Sequence, residues 1–88
     1  MPELSRFNGI VIQMYFEKGE RHYRPHMHVS YAEHEAVVSV DGELMEGTLP
    51  RKQLKLVEAW AIMREEELYK AWYAAVRNED PGKIAPLQ

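Results

Sequence analysis

Cysteine is absent from the 88-residue chain, which excludes disulfides, thiolate zinc sites and a thiol nucleophile together. Nothing in the sequence marks an oxidising compartment, and stability has to come from packing. No stretch approaches the roughly 20 consecutive apolar residues that a membrane-spanning helix needs, and the opening Met1-Pro2-Glu3-Leu4-Ser5-Arg6 has no apolar run behind its charges. A cytoplasmic protein without membrane contact is the expectation. Positive charge is also short: 11 lysines and arginines stand against 14 aspartates and glutamates, a net charge of −3, so no global field gathers nucleic acid. The sequence has no Gly-rich phosphate loop, no nucleophile elbow and no dinucleotide fingerprint, and the expectation is a protein with no cofactor.

What the chain does hold is enough to fold. Hydrophobic residues are 45% and charged residues 28% of the total, and two Trp, five Tyr and two Phe supply the large apolar surfaces that disordered chains lack. At this length one modest core is the limit, and residues 1–88 read as a single domain.

Residues 9–16 place Ile10, Ile12, Met14 and Phe16 on one face at period two and are predicted as the first strand. Residues 17–24 are charged, aperiodic and contain a glycine, the pattern of a mobile exposed connection. After Pro25 the chain alternates again, Met27, Val29 and Tyr31 against His26, His28 and Ser30, which predicts a second strand over 26–31. A turn over 32–35 leads to a third strand, 35–40, with Ala36, Val38 and Val40 inward. Asp41-Gly42 reads as a type I′ hairpin turn before a short edge strand over 43–48. Pro50 then opens a helical half. Leu54, Val57 and Ala61, widened by Leu56, Trp60 and Met63, form its apolar stripe, and Leu68, Trp72, Ala75 and Val76 resume it. Glu65, Glu66 and Glu67 suit the positive start of a second helix, so a break is expected near 63–65. In the tail, Ile84 and Leu87 can dock on the surface. The fold class is α+β: a three- to four-stranded antiparallel sheet followed by one long kinked helix or two consecutive helices.

His26 and His28 are the sharpest chemical feature. On a strand they point the same way with Cα atoms about 6.6 Å apart, away from the packed interior. As general acid and base they could flank a phosphodiester, a ribonuclease-type site, because imidazole both takes and gives a proton near neutral pH. As ligands of a divalent metal they would hold the ion weakly without a third donor from Glu33, His34, Glu35 or His22. The bland alternative has both rings on a half-exposed strand, bonded to neighbouring strands or stacked on Tyr15.

Arg51, Lys52 and Lys55 crowd the first turns after Pro50, where the helix dipole disfavours cations. With Arg24, Lys18 and Arg21 they could form a basic surface for phosphates of a nucleic acid or for an acidic partner. The bland alternative is hydration, or pairing with Glu43, Glu46 or Glu58. Trp60, Tyr69, Trp72 and Tyr73 fall at helical spacing and are expected to seal the helices onto the sheet; any surplus marks a partner or homodimer face.

One ordered set of motifs runs through the chain. It comprises Pro2-x-x-Ser5-x-Phe7-x-Gly9-Ile10-x-Ile12-x-Met14-Tyr15, Pro25-His26-Met27-His28, the turn from Tyr31 to Ala36, Gly47 to Pro50, and tryptophans at 60 and 72. In this the chain resembles a small bacterial family, domain of unknown function 4160. It departs from the family at Arg24, where members tend to have proline, at Met27, where they tend to have phenylalanine, and in a longer connection over 17–24. The resemblance implies a neighbour: members are often encoded beside another small protein, as in toxin-antitoxin pairs. The first functional expectation is therefore a protein-interaction module that pairs with a small partner protein or with itself. A ribonuclease-type or nucleic-acid-binding protein is the second and a weak metal site the third.

Overall fold

Residues 3–16 and 24–87 are described by the computed structural model, and they begin with a strand that the hydrophobic pattern did not announce. β1, Glu3–Phe7, turns into β2, Ile10–Gln13, through Asn8 and Gly9, both left-handed at φ 51° and 78°. Two successive positive φ values are what a two-residue type I′ hairpin requires, and Asn-Gly supplies them with least strain. The alternation of β1 is obscured because its register with β2 shifts between Glu3 and Ser5, leaving both Leu4 and Ser5 buried. β2 is shorter than the predicted strand over 9–16, since Met14, Tyr15 and Phe16 have left the ladder. The predicted connection falls mostly on residues 17–23, outside the described residues.

β3 spans His26–Tyr31, as the alternation predicts, and a tight turn with Ala32 at φ 51° joins it to β4, His34–Ser39. β5 is Leu44–Gly47. All four neighbouring pairs are antiparallel, so the sheet is a five-stranded meander in the order β1-β2-β3-β4-β5, one strand more than the upper expectation. The Asp41-Gly42 turn is not type I′, because Gly42 is positive at φ 94° and Asp41 is not. Val40 still pairs its N–H with the Pro25 carbonyl at 3.0 Å, so the chain overshoots and returns through a three-residue loop. The Ser39 N–H donates to the Glu43 carbonyl at 2.8 Å and the Gly42 N–H to the Ser39 carbonyl at 2.9 Å, the pattern of a type I turn with a glycine bulge.

The meander buries one face. Ile10, Ile12, Met27, Val29, Ala36 and Val38 are almost inaccessible, and the helices cover them with Val57, Trp60, Ala61, Leu68, Ala71, Trp72 and Ala75. α1 spans Arg51–Met63 and α2 Glu65–Val76. Arg64, at φ −116° and ψ 21°, ends one helix through its N–H to the Trp60 carbonyl and starts the next through its own carbonyl to the Leu68 N–H. The expected break is thus real, and the three glutamates occupy the first turn of α2. α2 closes on Asn78 at φ 62°, with Asn78 N–H to Ala75 and Glu79 N–H to Ala74, a Schellman cap. The tail docks as expected: Ile84 is buried and its N–H reaches the Leu4 carbonyl at 2.8 Å, while Trp60 Nε1 donates to the Ala85 carbonyl at 2.8 Å. No helix among the described residues is long and apolar enough to cross a membrane.

Candidate functional site

The face of the sheet opposite the helices carries His28, and its composition follows from register. Gln13 of β2, His28 of β3, Val37 of β4 and Glu46 of β5 are successive cross-strand partners, so their side chains stand in one row. The next row carries Val11, Ser30 and Glu35. A groove of about 350 Å³ opens here, lined by Gln13, Tyr15, His28, Ser30, Glu35 and Glu46 among others.

His26 and His28 do come together: their ring centroids are 5.3 Å apart, edge to face at 72°. Their surroundings differ. His28 is half-buried and stacked flat on Tyr15, with centroids 4.1 Å apart and planes at 6°. His26 is fully buried, and its Nδ1 lies 2.8 Å from the Arg24 carbonyl oxygen. A carbonyl can only accept, so Nδ1 carries the proton. The His26 ring leans on Trp72 at 4.9 Å, and Trp72 meets Phe16 edge-on at 5.7 Å. Five rings, Tyr15–His28–His26–Trp72–Phe16, thus run without a gap from the open face through the core to the exposed Phe16.

The expectation that both imidazoles lie outside the interior is therefore met by His28 and corrected for His26. The cause is where β2 ends. The last partner pair between β2 and β3 is Gln13 with His28, so His26 has no β2 neighbour, and Trp72 and Phe16 fill that corner instead.

The described basic side chains do not line the groove. None of Arg24, Arg51, Lys52 and Lys55 does so, and the acids among the described lining residues are Glu35 and Glu46. Arg24 donates to Glu43 at 2.8 Å and to Asp41 at 3.2 Å, and these contacts, led by the Glu43 hydrogen bond, raise its affinity for its proton. Asp41 is held below the usual carboxylate range first by the Ser39 hydroxyl and then by the Arg24 guanidinium. Arg51, Lys52 and Lys55 stand exposed on α1, whose first turn contains no acid. Among the described residues no three His, Asp or Glu side chains converge as a metal site. His34 lies 3.8 Å from Glu33, and the further candidates His22, Lys18 and Arg21 lie outside the described residues.

Gln13 and Ser30 are the groove residues that sequence reasoning missed. Their alternation was legible; that Gln13 stands beside His28 depends on cross-strand register, which one sequence does not show.

With this geometry in place, the sequence model of the family described as Domain of unknown function (DUF4160) matches residues 9–73, well over half of the chain and including both histidines, and the chain belongs to that family. Neither the curated proteins nor the solved structures yield a match.

Proposed function

We propose that this member of the DUF4160 family is a protein-interaction module that works in the cytoplasm by binding a small partner protein, as one half of a toxin-antitoxin-like pair. The observation that carries the proposal is apolar surface left over after the core is full. Trp60 and Trp72 are consumed by the interior, yet Ile62 is 72% exposed, Met63 61% and Tyr73 57%, with Val76 also in the open. Large side chains held in water on two consecutive helices lose little and gain much when a partner covers them. The arrangement of the family's genes implied by the resemblance supplies the partner: the product of the neighbouring gene. Co-expressed with that neighbour, the protein is expected to elute from a sizing column as one complex. Two independent monomeric peaks would overturn the proposal.

The ribonuclease-type reading keeps one favourable observation, the 5.3 Å approach of the two imidazoles. The burial of His26 weighs against a phosphodiester there, and so does Glu35 on the groove wall, since an anion entering beside it meets like charge. This reading expects overexpression to slow growth and His28→Ala to relieve it. Equal growth of both strains removes it.

A further inference from the structure

Tyr15 lines two hollows, and neither histidine lines the second. It holds about 480 Å³ where the end of β2 meets the C-terminal end of α2. Phe16, Tyr15, Ala75 and Pro81 give it apolar and aromatic walls, while Glu79 and Asp80 stand on its rim. The Phe16 ring is 41% exposed, unusual for a phenylalanine already held edge-on by Trp72.

The net charge of the described residues around this hollow is negative. The C-terminal end of α2 brings about half a negative charge, and its C-cap residue, Arg77, is the cation beside it. Asp80 is fixed by the Gly82 N–H at 2.9 Å, which orients its carboxylate without neutralising it. Glu79 is tied to Arg77 at 3.2 Å, an exposed pair in which the two charges cancel, so Asp80 and the helix end remain. Among the described residues that line the hollow, none is basic.

Aromatic walls with an acidic rim match a cation that has a flat face and an apolar stem. We infer that this hollow receives an arginine side chain of the partner protein, with the guanidinium against Phe16, a hydrogen bond to Asp80, and the methylene stem along Ala75 and Pro81. Arginine fits better than lysine because its weakly hydrated planar head stacks on rings, whereas an ammonium gives up strong hydration to do so. The inference rests on the interaction-module reading and names the chemistry of what that partner presents.

The test uses the full chain, labelled with nitrogen-15, and two small probes. N-acetyl-arginine amide and its neutral isostere N-acetyl-citrulline amide are titrated while backbone amide shifts are followed. The arginine probe is expected to move Asn78, Glu79, Asp80 and Gly82, and to bind at least about fivefold more tightly than citrulline. Asp80→Asn keeps an acceptor for the Gly82 N–H and is expected to erase that preference. Equal binding of both probes, shifts centred instead on Glu65–Glu67, or an unchanged preference in Asp80→Asn would each overturn the inference. A chain that pairs with its neighbour but shows no arginine preference sinks this inference alone. A chain that shows the preference but ignores its neighbour sinks only the choice of partner.

Discussion

His26 and His28 are two positions apart and share a strand face, yet their side chains are held by different forces. His26 is enclosed, bonded through Nδ1 to the Arg24 carbonyl and packed on Trp72, so His26→Ala removes a buried ring and leaves a cavity in the corner beside α2. A loss of about 2–4 kcal/mol is expected for it, against less than about 1.5 kcal/mol for His28→Ala, whose ring is half-exposed on Tyr15. Urea unfolding of the two variants reads the difference, and a larger loss at His28 would contradict the assignment of His26 to the interior. Asp41 gives the pH counterpart. Its folded carboxyl is below its usual value because of the Ser39 hydroxyl and Arg24, so its contribution is fully present above the unfolded value near 4 and is lost as pH falls through the lower folded one. The side chain is 53% exposed, which limits the contribution to less than about 1 kcal/mol. Urea midpoints measured from pH 6 down to pH 2 should fall more steeply below pH 4 for the native chain than for Asp41→Asn; parallel profiles would refute this. Both effects belong to side-chain surroundings. The alternation showed that the histidines share a face, but not which of them would be covered.

Among the elements, α1 opens against its own dipole. Pro50 caps it without a side-chain bond, no acid occupies the first turn, and Arg51 and Lys52 sit exposed at its positive end. Arg51→Glu is therefore expected to stabilise the fold by about 0.3–1 kcal/mol, read as a higher thermal midpoint at low salt that shrinks as salt is added. A lower midpoint would mean that Arg51 makes a contact outweighing the dipole. Element type was largely legible: β3 was placed residue for residue, and the helix break at Arg64 fell where the acidic triplet pointed. β1 was not, because its charges at Glu3 and Arg6 and its bulge hide a period that only pairing with β2 makes visible. Gly47 is a similar case. It sits at φ 81° where a Cβ would collide with the Glu35 carbonyl, a demand created by the neighbouring strand and absent from its own segment.

For the whole molecule, the division of labour between two surfaces matters more than any one residue. The sheet's groove is polar, with the imidazole of His28 set between Tyr15 and His26; the helices present Ile62, Met63, Tyr73 and Val76 to water. If the helical surface binds the partner, Ile62→Ser with Tyr73→Ser should abolish the complex on the sizing column while leaving the isolated chain within about 0.5 kcal/mol of native stability. A complex that survives both changes would move the interface elsewhere.

Composition and periodicity alone settled that this chain folds around one face of an antiparallel sheet covered by broken helices, because burial must follow the spacing of apolar side chains along each segment. Which side chains meet across segments was decided only in three dimensions. His28 meets Gln13 and Val37, His26 goes under Trp72, and Arg24 is claimed by Glu43 and Asp41. Local spacing sets which way a side chain points, whereas register, strand length and the docking of α2 set what it finds there.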